Sequence, residues 1–414
     1  MKQETNQGIT KLISGTVMLL FIGLIYAWSI FRAPLGAMFP DWSLTQLSMT
    51  FTISMAFFCI GGFVSGKLTL KIPHRIVMRI SAMLILVGFV LITFVLNPEF
   101  PTRSLVLMYI LYGVLGGGGV GLSYNSTIAC VNRWFPGRTG LASGVLLLGF
   151  GVGGLVLGGL VNYLTGIIGV TPVFAILGVL LAVILFTLSF IMKAPDPEQQ
   201  KLIEAASPIA KNPTAGAVAT KDYTLTEMVK TPTFWVLFCW VIASSTSGLL
   251  VINSAATIAL SFGAPAVIGL IVSVFNGIGR PATGALHDQI GRFKTMVINS
   301  GLLILSGVIL VLAAVTGQVI FLYIGLPLVG LAFGGSPSLL AGSTMGFFGP
   351  KNFSINLGTL TFGLLPAAII GPLISSKLQE ASGGDYLTTF IMLIIVGTAT
   401  LAVVLILNAI SKKL

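Results

Sequence analysis

Arg280 and Asn276 are the residues of this sequence best suited to chemistry with a ligand. They stand four positions apart inside an apolar run at 264–286, and positions i and i+4 of a helix share a face. A guanidinium presents its N–H groups in a planar fork that fits both oxygens of a carboxylate. An Asn amide one turn away adds a donor for a second ligand oxygen. Pro281 follows the cation, removes a backbone N–H and crowds the carbonyl of Gly277, so a bend is expected there. All 11 Asp and Glu residues fall in gaps, tails or edges of the apolar runs. The negative charge that Arg280 binds is therefore expected to come from solution. Side chains lean toward a helix N-terminus, which here points to the membrane midplane; snorkelling to the surface is the competing reading.

The elements that must hold this pair follow from composition. Of 414 residues, 55% are hydrophobic and 8% charged, with a mean hydropathy of +1.02. Soluble domains carry about 25% charge and disorder needs low hydrophobicity, so both classes are excluded. Apolar runs at 12–32, 44–66, 76–96, 104–131, 139–163, 172–192, 232–260, 264–286, 295–316, 318–345, 353–376 and 386–408 make twelve candidate spans. Each is near or above the roughly 20 residues that cross a bilayer. Their length and helical period exclude a membrane β-barrel. The expected fold is an all-α membrane protein of twelve transmembrane helices.

Charge sets the orientation. Eighteen of the 22 Lys and Arg lie in one set of alternate gaps and tails; the opposite set holds only Arg32, Arg103 and Lys377, and Arg280 is the remainder. The positive-inside rule then places both termini in the cytoplasm. The net charge of +11 is spread over these gaps, which argues against nucleic acid as a partner. Lys2 and Lys11 before the first run imitate a signal peptide, but the run is too long and lacks a small-residue cleavage site, so a retained first helix is expected. Cys59, Cys130 and Cys239 lie in apolar runs and read as packing residues. The histidines are two, His74 and His287, and no metal or cofactor is expected. No nucleophile–base pair supports a membrane enzyme. Gly116-x-Gly118-x-x-Gly121 fits a dinucleotide pattern but lies inside a span, where it suits helix contact.

The one long polar stretch, 193–231, reads as a cytoplasmic linker between six-helix halves at 1–192 and 232–414. A weak repeat supports the division. Arg133-Trp134-Phe135-Pro136-Gly137-Arg138 after span four is echoed by Phe347-Phe348-Gly349-Pro350-Lys351 after span ten, and Gly66-Lys67-Leu68 by Gly284-Ala285-Leu286. Repeated halves mark secondary transporters. The segment from Gly284 to Lys294, Gly-Ala-Leu-His-Asp-Gln-Ile-Gly-Arg-Phe-Lys, resembles the loop signature of the major facilitator superfamily. The first-half copy departs from it, with Leu70 where an Asp is usual. Two further stretches, Asn132–Gly144 and Thr226–Trp235, resemble the oxalate/formate antiporter family and its bacterial monocarboxylate-transporter relatives.

That resemblance implies a multi-pass transporter of the bacterial inner membrane, expected to act as a monomer in the lipid bilayer. It implies a conformational latch at Gly284, Asp288 and Arg292, whose charges pair or cap neighbouring helix ends. Tyr124 stands where relatives carry a substrate-facing Tyr. Tyr26, Trp28 and Phe333 are further candidates for an aromatic wall, with Ser336 and Asn253 weaker ones. Oxalate exchangers of the family carry a Lys midway along span eleven; this sequence has none there, so a lactate-like monocarboxylate is the expected substrate. Animal monocarboxylate transporters have an Asp where this chain has Asn276, which cannot take up a proton. Proton symport, anion exchange and, from another class, an anion channel remain the readings.

Overall fold

The computed structural model describes residues 2–205, 221–252 and 254–411. They are helical with short connections. The first half runs through α1 (Lys2–Ile22), α2 (Trp28–Met38), α3 (Leu44–Leu68), α4 (His74–Val95), α5 (Pro101–Met108), α6 (Gly117–Asn132), α7 (Thr139–Ile168) and α8 (Val170–Ser189). Two short helices follow, α9 (Pro197–Ala205) and α10 (Leu225–Val229). The second half has α11 (Pro232–Ile252), α12 (Ala255–Ser261), α13 (Leu270–Ile290), α14 (Arg292–Thr316), α15 (Ile320–Phe348), α16 (Phe353–Leu360), α17 (Leu364–Ala381) and α18 (Leu387–Ser411). Eleven helical runs among the described residues are long and apolar enough to cross a membrane. Helix α13 completes the expected twelve; Asn276, Arg280, His287 and Asp288 lower its hydropathy.

Several expected spans are interrupted. Span one is broken by a 3-10 turn at Gly23–Ala27, and span eleven by one at Thr361–Gly363. Pro366 supplies a reason for the second, because a proline cannot donate to the carbonyl four residues back. Span seven, expected to run to 260, stops at Ile252 and resumes as α12 after a bend at Ser254. Helices α5 and α6 are joined by a π-wound stretch, Tyr109–Gly116. The α13–α14 turn depends on Gly291, whose φ of 85° is costly for any residue with a Cβ.

The chain packs as two compact units. The first comprises Met1–Phe135, Gly149–Ala206 and Asn352–Thr359. Its core is aromatic: Phe31 stacks on Phe174 at 4.6 Å, and Tyr112 lies among Trp28, Phe89 and Phe174. The second comprises Pro136–Leu148, Ser207–Lys351 and Leu360–Leu414. Its core is aliphatic, built from Leu250, Leu303, Leu310, Leu326 and Leu393 around Phe390. Large apolar side chains are also turned outward, Phe94 at 77% and Val315 at 69% exposure among them. Water would penalise that surface, whereas lipid tails would not.

Candidate functional site

The polar residues of α13 form the candidate site. Arg280 is buried, at 6% exposure. Its guanidinium folds back one turn toward the helix N-terminus, where Nε and Nη2 donate to Asn276 Oδ1 at 3.3 and 3.0 Å. Nη1 donates to the Leu147 carbonyl of α7 at 2.6 Å. The head group is thus held toward the middle of the helix by neutral oxygens. Pro281 is absorbed within the helix.

The same helix meets α7 backbone to backbone. A Cβ on Gly144 would lie under 3.0 Å from backbone atoms of Arg280 and Pro281, and one on Gly284 would collide with the Gly140 carbonyl. Glycine is what permits the contact. Asp288 then closes the seam: Oδ1 accepts the Gly140 N–H at 3.0 Å and Oδ2 the Leu141 N–H at 2.7 Å. These are orphan donors of the first turn of α7, and a carboxylate there also meets the positive end of the helix dipole. Of the two geometries expected, pairing with Arg292 or capping a neighbouring helix end, Asp288 adopts helix capping. Arg292 lays its guanidinium over the Phe347 ring at 4.3 Å.

The aromatic candidates are dispersed. Phe333 is half-buried on α15, with its ring filling the space left by Gly248 of α11. Tyr124 lies in the first unit, edge-on to Phe58 at 5.0 Å and near Phe150 at 4.9 Å. Trp28 is in another part of that unit; its indole N–H donates to the Leu47 carbonyl at 2.9 Å and its ring packs against Tyr112. Such bonds make it a core residue of the unit. Tyr26 falls in the Gly23–Ala27 turn, its side chain outside the described residues, as is Asn253. Ser336 is buried on α15 and donates to Ala332 O at 3.4 Å. Among the described residues, no three His, Cys, Asp or Glu side chains gather as metal ligands would.

Sequence reasoning missed a second seat, in the first unit. Asn125 of α6 donates to the Gly62 and Ser354 carbonyls, both at 2.7 Å, and the Ser354 hydroxyl meets Thr69 Oγ1 at 3.1 Å. Helix α16 is thereby fixed on α3, where Gly66 and Gly358 leave no room for a Cβ. The available signal was the Gly66–Gly284 echo, which puts Gly62 at the position related to Arg280. Asn125→Ala removes two short bonds to buried carbonyls, each worth about 1–3 kcal/mol when left unmade. Hydrogen exchange of residues 352–359 is expected to quicken by about tenfold.

Outside the spans, Thr224 and Glu227 form a capping box at the start of α10. The Thr224 backbone N–H, then Lys221 and the Thr224 hydroxyl, hold the Glu227 carboxyl down to about 2. Lys221 is pushed up in turn by its bond to Glu227. Asp222 beside them accepts the Lys351 N–H at 2.9 Å, which fastens this segment to the end of α15.

The sequence profile described as Major Facilitator Superfamily matches residues 13–372. The chain is 28% identical to the oxalate:formate antiporter of Oxalobacter formigenes over 377 residues, 88% of this chain and 83% of that one. It is 28% identical over 356 residues to an uncharacterised MFS-type transporter of Escherichia coli (strain K12), covering 84% and 83%. Monocarboxylate transporter 13 of Rattus norvegicus matches at 28% over 133 residues, 32% of this chain and 29% of that one. In fold, the proton:xylose symporter XylE superposes with a TM-score of 0.73 over 97% of this chain and 95% of that one, at 15% identity.

Proposed function

This chain belongs to the major facilitator superfamily, whose members are membrane transporters and not enzymes, and from that premise we propose that it carries a small, lactate-like monocarboxylate by alternating access with a co-transported proton. The observation that supports this most is Arg280, buried and hydrogen-bonded to the neutral oxygens of Asn276 and Leu147. A carboxylate offers the guanidinium an opposite charge and two oxygens that match its planar fork, which neutral oxygens do not, so an entering carboxylate can displace them. Asn276, released, turns its amide to the substrate. Gly284, Asp288 and Arg292 act as the latch that opens and closes the path. The charge bias supports cytoplasmic termini, and in this reading halves at 1–192 and 232–414, joined by 193–231, lie in a bacterial inner membrane.

Charge argues for a monoanion. One guanidinium balances one carboxylate, and α16 and α17 carry no cation before Lys377. A second reading, exchange of organic anions, draws on the similarity to an oxalate:formate antiporter over most of the chain. Uptake of labelled lactate into proteoliposomes separates them. Lactate uptake that rises with an inward proton gradient and resists competition by oxalate is the expected result. Strong oxalate transport with weak lactate transport overturns the substrate class. Uptake that needs internal anion and ignores the gradient establishes exchange.

A further inference from the structure

We propose that His287 is a positioning residue for the latch and that its protonation unseats α7. The inference rests on the reading that this seat opens during transport, and it adds the trigger.

His287 is buried, at 5% exposure. Its Nδ1 lies 3.2 Å from Asp288 Oδ1, the same oxygen that accepts the Gly140 N–H. An ionised carboxylate only accepts, so Nδ1 carries the hydrogen; the tautomer is assigned by this network. Nε2 then bears the lone pair. It is buried without a hydrogen-bond partner and lies against Gly342 of α15. A Cβ at Gly342 would stand 2.6–3.0 Å from Cε1, Nε2 and Nδ1 of the ring, and one at Gly140 would stand 3.1 Å from Nδ1. The imidazole therefore fills a slot between two glycines of different helices.

Protonation changes this slot in two ways. Nε2 becomes a donor where it meets no acceptor, and a buried unmade bond is costly. The imidazolium also competes for Asp288 Oδ1, weakening its bond to the Gly140 N–H. Both effects favour release of α7. By linkage, a released seat favours proton uptake to the same degree.

The other charges around the ring do not supply the missing acceptor. On its own helix the neighbours are Asp288, below the ring, and Arg280, two turns above. Helix α14 contributes Arg292 at its first position and the exposed Lys294, and Arg138, exposed, precedes α7. Helix α15 carries no ionisable side chain between Tyr323 and Phe348.

The test is hydrogen exchange of residues 139–148 in the purified full chain, without substrate, corrected for the intrinsic pH dependence of exchange. The wild type is expected to exchange about tenfold faster in mild acid than at neutral pH. His287→Gln keeps an amide donor toward Asp288 and cannot titrate, so its change is expected to stay under about twofold. A wild-type seat indifferent to pH overturns the proposal. So does acid release that persists in His287→Gln, which would assign the proton to Asp288. Should that variant not fold, His287→Asn is measured in its place, and a flat wild-type profile is decisive alone. No substrate is present, so a failure of Arg280 to bind carboxylates leaves this result untouched.

Discussion

Arg280→Gln is expected to lower lactate uptake by about 100-fold or more, the equivalent of roughly 3 kcal/mol. A carboxylate entering a site without the guanidinium gives up its water for neutral dipoles alone. The deficit is largest where the site is driest, and Arg280 is buried at 6% exposure. Arg280→Lys keeps the charge and loses the planar fork, so uptake should recover only in part, to about a tenth of the wild-type rate. The measurement is initial uptake into proteoliposomes at equal protein density, after size-exclusion chromatography shows each variant monodisperse. Unchanged flux in the Gln variant would falsify the assignment of Arg280 to the substrate.

Gly284→Val should have the next largest effect. Any Cβ at this position collides with the Gly140 carbonyl and crowds the Leu141 nitrogen. These are backbone atoms, so no side-chain rotation relieves the clash. Helix α7 must lift from α13, and Asp288 then loses its hold on the Gly140 and Leu141 N–H groups. Hydrogen exchange of residues 139–148 is expected to rise by about tenfold or more, with transport reduced as the seated state becomes rare. Gly301→Ala is the control, since no atom lies within 4 Å of a Cβ there. That variant should match the wild type. If Gly284→Val retains a protected seat, the described contact between α7 and α13 is wrong.

The parts of this molecule legible in the sequence are those with a high cost of misplacement. An Arg in an apolar run is expensive enough to demand a reason, which singled out Arg280, and the four-residue spacing named Asn276 as its neighbour. The twelve spans were legible because length and continuous apolarity are what a bilayer selects. Helix α13 was legible as the apolar run at 264–286, although Asn276, Arg280, His287 and Asp288 dilute its apolarity. Aromatic side chains were harder, because an aromatic ring suits a core as well as a binding wall. Trp28 shows this: only its bond to Leu47 and its contact with Tyr112 reveal what it does. The Gly66–Gly284 echo points to the helix seam but not to the partnership of Asn125 with Ser354, since those residues are 229 positions apart in sequence. The setting of His287 leaves no local mark in the sequence, because its neighbours Gly140 and Gly342 come from other helices. The breaks at Gly23–Ala27 and after Ile252 leave no mark in an apolar run.

The two glycine seams are fastened by unlike chemistry. Where Asp288 uses a full charge, the related position is Leu70, and α16 is held by an uncharged amide and two hydroxyls. A clasp made of dipoles ignores acidity, while one made of a carboxylate beside an imidazole answers to it. The threshold of one can therefore drift with the surroundings of the cell while the other keeps a constant stiffness. Selection can retune either without disturbing its counterpart.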